Sequence, residues 1–180
     1  MFDQKLKTRA LKPKEITGLT LVGPMDVKPR VVVCEDEQTI TLKVTGVINA
    51  EFAWPEIKNE ANKTVRIDLS KVDFINSVGV RNWIHTYPFK SKKVDLIDVS
   101  VHVMDSFNMT PGMQLGGKVL SFFLPVYCEN CEETFELIKT SDINLNDREV
   151  TIVLKPCVCG SQPQPDTDVD SYLTCLGRSA

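Results

Sequence analysis

Several short stretches of the chain alternate apolar and polar residues, which is the period of a half-buried β-strand. In 39-TITLKVTG-46 every second residue from Ile40 is apolar, and the same period begins at Val65 in 64-TVRIDLS-70. Further strands are predicted at 31–33, 93–99, 118–127, 134–140 and 149–155. The chain is therefore rich in strands that each turn one face toward a core.

Between these strands the apolar spacing changes to that of a helix. Val80, Trp83, Ile84 and Tyr87 lie at offsets of three, four and seven residues, and Pro88 ends the pattern. Two further helices are predicted at 50–61 and 100–109. Strands that alternate with helices predict an α/β fold in which helices pack on a mixed β-sheet.

Composition and charge narrow the class of protein. The 180 residues are 42% hydrophobic and 25% charged, which is typical of a globular chain. Residues 1–30 carry seven Lys or Arg against three Asp or Glu, so this leader is basic. No apolar run approaches the roughly 18 residues that a membrane-spanning helix needs, and the first residues lack a signal-peptide core. We therefore expect a cytoplasmic protein with no membrane span.

Four of the six cysteines form two close pairs near the C-terminus. Cys128 and Cys131 form C-x2-C, and Cys157 and Cys159 form C-x-C after 25 intervening residues. Because the strands predicted at 134–140 and 149–155 join the pairs, the pattern indicates a β-hairpin zinc ribbon with a structural, four-sulfur Zn²⁺ site. The second pair is one residue shorter than usual, so Cys175 could replace a ligand. A redox pair or unreactive thiols is the competing interpretation.

The charge of this predicted ribbon bears on its partner. Residues 126–160 carry three basic against seven acidic side chains, whereas nucleic-acid binding requires clustered Lys and Arg. The balance disfavours nucleic acid as a partner and favours a structural or protein-docking role. The alternative function is a zinc-ribbon adaptor for nucleic acid or the transcription machinery, with the rest of the chain as its scaffold.

Three stretches resemble the STAS domain, the fold of anti-sigma factor antagonists. They are 40-ITLKVTGVINAEF-52, 65-VRIDLSKVDFINSVGV-80 and 95-DLIDVS-100. The resemblance covers about half of the chain, and its middle stretch looks like the family's strand, loop and DSxG turn. Together with the charge distribution and the cysteine pairs, it predicts four parts: a leader (1–30), a STAS-like domain (31–125), a zinc-ribbon-like module (126–161) and a polar tail (162–180).

The resemblance also implies a function. In that family a serine at this turn is phosphorylated by the anti-sigma kinase, and the matching position is Ser77, with Asn76, Gly79 and Arg81 in the same motif. The family's acidic residue before the serine is Asn76 here, and Asn76 and Ser77 are also good helix N-caps, so simple capping remains the other interpretation. We expect a non-enzymatic bacterial regulatory protein that binds a signalling partner such as an anti-sigma factor or kinase. The sequence contains no P-loop, GxGxxG or Ser-His-Asp order that would indicate an enzyme.

Overall fold

The computed structural model describes residues 28–57, 63–89, 93–145 and 150–177. Within these ranges the strands are β1 (Arg30–Glu35), β2 (Thr39–Ile48), β3 (Thr64–Ile75), β4 (Val94–Ile97), β5 (Lys118–Val119), β6 (Ser121–Cys128), β7 (Glu132–Lys139), β8 (Ile143–Leu145), β9 (Val150–Ile152) and β10 (Gln164–Pro165). The helices are α1 (Ser77–His85), α2 (Val101–Met109) and α3 (Val169–Tyr172), and 3-10 turns occupy Thr140–Asp142 and Thr174–Leu176.

The first five strands form one sheet in chain order, β1-β2-β3-β4-β5. Strands β2 to β5 are parallel to one another, and β1 joins the edge antiparallel to β2. Helix α1 connects β3 to β4, and α2 connects β4 to β5, as parallel neighbours require. The predicted fold class, α/β with a mixed sheet and packed helices, is therefore confirmed.

The alternating strands bury the face that their pattern predicts. Ile40 and Leu42 of β2 and Ile67 and Leu69 of β3 are fully buried. Side chains from α1 and α2, among them Trp83, belong to the same core cluster. The helices therefore lie on one face of the sheet, and its opposite face is more polar.

The prediction of a helix at 50–61 is wrong for the residues of this range that the structure describes. Residues 52–57 carry no helix, and residues 58–62 lie outside the described ranges. Pro55 disfavours the helical conformation for the residue before it. That residue, Trp54, instead donates its indole N–H to the carbonyl oxygen of Trp83 at 3.1 Å, and the Phe52 ring packs against both tryptophans. Aromatic packing on α1 therefore determines the path of this segment.

The strand predicted at 118–127 is confirmed as an almost continuous path through β5 and β6. Its first part pairs with β4, where Leu120 N donates to Leu96 O at 2.8 Å, and a parallel bridge joins Val99 to Phe122. Its second part pairs along its whole length with β7. This path carries the chain from the main sheet directly to the first cysteine pair.

The pairing predicted for the C-terminal hairpin differs from the observed one. Strand β7 pairs with β6, from Ser121↔Lys139 to Cys128↔Glu132, while β9 pairs with the short strand β8. Only three residues, 129–131, close the β6–β7 hairpin, so its loop-closure entropy is smaller than that of the predicted pairing. The pairing also buries Ile138 opposite Phe122.

The segment predicted as a polar tail is folded through residue 177. Strand β10 pairs with β6, and Tyr172 and Leu173 after it are buried. The Tyr172 hydroxyl donates to Phe123 O at 2.6 Å, and Asn108 Nδ2 donates to Tyr172 O at 2.9 Å. The tail is thereby fixed to both β6 and α2.

One hydrophobic core connects these parts. The cluster of buried side chains that contains the faces of β2 and β3 also contains Leu124 of β6, Ile138 of β7, and Leu154, Tyr172 and Leu173. The boundary predicted near residue 125 does not separate two cores. Among the described helices, none is long and apolar enough to cross a membrane.

Candidate functional site

The first cysteine pair lies in the turn between β6 and β7. Cys128 is the last residue of β6, and Cys131 N donates to Cys128 O at 3.2 Å. The next residue, Glu132, has a φ of 63°, a left-handed conformation that reverses the chain into β7. The hairpin turn thus positions the two sulfur atoms of this pair.

The second pair lies in a turn that follows Leu154. Gly160 N donates to Cys157 O, and Cys157 N donates to Ser161 O, both at 2.8 Å. Gly160 has a φ of 87°, so each cysteine pair is followed by one residue with a positive φ. The shorter C-x-C spacing is therefore compatible with a tight turn like that of the first pair.

These two turns bring four sulfur atoms together. The Sγ atoms of Cys128, Cys131, Cys157 and Cys159 all lie within 4.8 Å of one another, and Cys128 Sγ is 3.5 Å from Cys159 Sγ. Tetrahedral coordination with metal–sulfur bonds near 2.3 Å places sulfur atoms about 3.8 Å apart. The four cysteines could therefore hold a metal ion, and their number and type fit a soft, tetrahedral one.

The thiols of this cluster do not titrate alike. The backbone N–H of Ser161, followed by its hydroxyl, lowers the pKa of Cys159 to about 6. Hydrogen bonds with the sulfurs of Cys159 and Cys157 raise the pKa of Cys131 to about 12. The protein therefore stabilises the thiolate of Cys159, whereas it favours the protonated thiol of Cys131.

Asn130 and Ser161 belong to the site, although the sequence did not single them out. Asn130 Nδ2 donates to Ser161 Oγ at 2.7 Å and lies 4.0 Å from Cys159 Sγ, so it links the two turns. The only sequence signal was their position inside or just after the cysteine pairs. Polar residues there are common in any turn, and the signal is therefore weak.

Cys175 does not belong to the four-cysteine cluster. Its backbone N donates to Asn108 Oδ1 at 2.8 Å, and its carbonyl oxygen accepts from Gln114 Nε2 at 2.6 Å. Burial raises the pKa of its thiol to about 11. Cys175 therefore helps to fix the tail beside α2, and the C-x-C pair supplies both of its own sulfur atoms.

A second candidate site lies where β3 passes into α1. Asn76 is the N-cap, and its Oδ1 accepts a hydrogen bond from Gly79 N at 2.8 Å. Ser77 is the first helical residue, and its side chain is exposed. Of the two cap candidates, Asn76 caps the helix, and the Ser77 hydroxyl is accessible from solvent.

The surroundings of Ser77 are partly apolar. Phe74 and Val78 are exposed by 43% and 46%, and Arg81 is also exposed. We call Phe74, Ser77, Val78 and Arg81 the α1 surface. Exposed aromatic and aliphatic side chains beside polar ones are a common feature of protein-binding surfaces.

Gly79 is in the same motif but not on this surface. It is buried, and a Cβ atom added to it would lie 2.0 Å from the carbonyl oxygen of Ile48. Helix α1 can therefore approach the end of β2 only with glycine at this position. Trp83, on the same helix, is fully buried and donates its indole N–H to Met113 O at 2.9 Å, as its predicted core position requires.

The comparisons with known proteins yield no relative: no family model, curated protein or solved structure matches this chain.

Proposed function

We propose that this chain is a non-enzymatic bacterial regulatory protein whose α1 surface binds a signalling protein of the anti-sigma factor or kinase type. The observation that carries the proposal is the exposed Ser77 hydroxyl at the start of α1, with two exposed apolar residues, Phe74 and Val78, on either side of it in sequence. The resemblance of 65-VRIDLSKVDFINSVGV-80 to the STAS motif supports the choice of partner class.

Phosphorylation of Ser77 would switch this binding. A phosphate adds about −1.5 to −2 charges, and the free N–H groups at a helix start tolerate such an anion. Arg81 is four residues further on the same helical face and is exposed, so it can pair with the phosphate. A partner that covers Phe74 and Val78 would have to desolvate this charge, and we expect it to dissociate.

The four-cysteine cluster would hold a structural Zn²⁺ ion. Four thiolate ligands complete the tetrahedral shell and leave no position for water or substrate, which is typical of structural rather than catalytic zinc. The ion would hold together two turns that are distant in sequence. Its effect would be on stability, and through β6 on the rest of the core.

We propose that the partner is a protein and not a nucleic acid. Glu129 and Glu132, beside the first cysteine pair, are exposed, and a zinc ion bound by four thiolates would leave a further net charge of −2. Such a surface repels phosphates. A gel shift with DNA or RNA at low salt would instead favour the adaptor function.

The α1 proposal is tested by comparing Ser77→Ala and Ser77→Asp in binding to purified anti-sigma kinases, with ATP-dependent phosphorylation read by mass spectrometry. We expect wild type and Ser77→Ala to bind equally, Ser77→Asp to bind at least tenfold more weakly, and phosphate to appear only where Ser77 is present. Ser141→Asp, which changes another exposed serine, is the matched control. Equal binding by all four proteins would refute the switch.

A further inference from the structure

The hairpin of β6 and β7 has one face in the core, and the residues that the structure describes leave its other face partly exposed. Phe122, Leu124 and Val126 point into the core, whereas the alternate residues point the other way. The apolar residues that cross-strand register places on that second face, which we call the open face, are Phe123, Pro125, Tyr127, Phe135 and Leu137, and the register positions at its two ends are Ser121 with Lys139 and Glu133. Tyr127, Phe135 and Leu137 are exposed by 45%, 62% and 41%. An apolar sheet face of this kind is unusual unless something binds to it.

A groove leads from the open face back to the main sheet. It has a volume of about 390 Å³, and Phe123 and Phe135 form its wall on the hairpin side. Lys71 of β3 and Val101 and His102 at the start of α2 form the other side. The groove is thus apolar along the hairpin and carries basic groups at its opposite wall.

The first described residues of the chain line a cavity that has one residue in common with this groove. Lys28 and Arg30 line a neighbouring cavity together with Lys71 and Asp73, so Lys71 borders both cavities. The segment that precedes Lys28 therefore joins the described structure at a cavity that shares Lys71 with the groove.

The sequence of that segment suits the open face. The stretch 16-ITGLTLVGPMDV-27 contains six apolar residues and one charge, Asp26. Twelve residues extend over about 40 Å, and the part of β6 that carries the open face is roughly half as long. The segment is therefore about 20 Å longer than the face itself, which leaves that length for the path from Lys28 to the groove.

We propose that residues 16–27 dock in the groove and across the open face of the same chain. Asp26 would lie near Lys71 and His102, because only one residue separates it from Lys28. The basic residues before position 16 would then reach Glu129 and Glu132 at the far end of the hairpin, so the charges match at both ends. Burial of Phe135, Tyr127 and Leu137 stabilises the docked arrangement. This inference concerns a surface different from α1 and does not depend on the proposed function.

The test places the photo-crosslinking residue p-benzoylphenylalanine at position 135 in the full chain. After irradiation we expect a crosslink within one molecule to a peptide from residues 16–27, with a yield independent of protein concentration. In the same protein Leu21→Asp should lower that yield at least fivefold, because a carboxylate would have to be buried on the apolar face. Leu21→Ile, which keeps the apolar character, should leave the yield unchanged.

The matched control places the same photo-crosslinking residue at Met109, which is 74% exposed on α2. We expect no crosslink to residues 16–27 from that position. A crosslink from position 135 to a second copy, with a yield that rises with concentration, would assign the open face to a dimer and overturn the proposal. Absence of any crosslink to 16–27, or an unchanged yield in Leu21→Asp, would overturn it as well.

Discussion

Asn76 and Ser77 are neighbours of similar chemistry, but only Asn76 accepts the capping hydrogen bond from Gly79 N. Replacement of Asn76 by Ala should therefore lower the free energy of unfolding by about 1 kcal/mol. Ser77→Ala should change it by less than about 0.5 kcal/mol, since an exposed first-turn residue contributes little. Urea unfolding of the two variants measures both values. An equal loss in both would assign the cap to Ser77.

Tyr87 illustrates a polar group whose position costs stability. It is buried in a group of aromatic rings, and its hydroxyl is the one buried side-chain polar atom without a hydrogen-bond partner in the described residues. Burial raises the pKa of Tyr87 to about 12 from a usual value of 10.0. The folded protein therefore keeps this proton between pH 10 and 12, where the unfolded chain loses it, and stability should fall as pH rises through that range.

The predicted loss of stability at high pH can be tested with Tyr87→Phe. At neutral pH the variant should be as stable as wild type or slightly more stable, because it removes a desolvated hydroxyl. Between pH 10 and 12 its advantage should grow by on the order of 2–3 kcal/mol. Chemical unfolding at a series of pH values measures the difference. Parallel pH profiles for the two proteins would show that Tyr87 ionises normally in the fold.

At the scale of residues, the sequence predicted which side chains are buried better than it predicted what each polar residue does. The spacing of Val80, Trp83 and Tyr87 predicted which side of α1 is buried, and all three are buried or half-buried. It could not decide between Asn76 and Ser77, because both residue types cap helices. The decision depends on where β3 ends, and that is set by the pairing of Ile48 with Ile75 across two strands.

At the scale of elements, the cysteine centre depends on two turns that come from different parts of the chain. If it holds zinc through four sulfurs, Cys128→Ser, Cys131→Ser, Cys157→Ser and Cys159→Ser should each reduce bound zinc to well below one equivalent. Cys34→Ser and Cys175→Ser are the matched controls and should retain one equivalent. Elemental analysis of the purified proteins gives the values. Loss of zinc in Cys175→Ser would assign a ligand role to that residue.

The strand pattern was predicted well, and the strand partners less well. Alternation identified β2 and β3, since each buries every second residue. It did not identify the partner of β7, because two strands of similar pattern, β6 and β9, were available. The short strand β8 was hidden in a polar loop, where three residues are too few to show a period.

At the scale of the whole molecule, the sequence suggests separate parts, whereas the structure joins them through one shared core. The C-terminal segment is polar in composition, and its buried residues within the described range are Pro163, Tyr172 and Leu173. So few buried residues do not produce a recognisable pattern, yet Tyr172 and Leu173 join the same core as β2 and β3. Long-range contacts such as Tyr172 Oη to Phe123 O are therefore what the sequence could not predict.

A shared core has a thermodynamic consequence that two independent domains would not have. Trp54 and Trp83 report on the region around α1, whereas release of a metal ion held by the four cysteines would report on the cysteine centre. Because β6 runs from the main sheet to Cys128, we expect tryptophan fluorescence and zinc release to follow one thermal transition. Removal of zinc by a chelator should lower the Tm of the tryptophan transition too.

The size of that decrease in Tm follows from the thermodynamic linkage between zinc binding and folding. A ligand at 100 times its Kd stabilises the folded state by about 2.7 kcal/mol, and for a chain of this size that corresponds to roughly 5–10 °C in Tm. Cys131→Ser should show the lower Tm without chelator, and Cys34→Ser should behave as wild type. If zinc leaves at a lower temperature while the tryptophan transition stays in place, the cysteine centre unfolds on its own. The continuity of the core through Leu124 and Ile138 would then not couple the two regions.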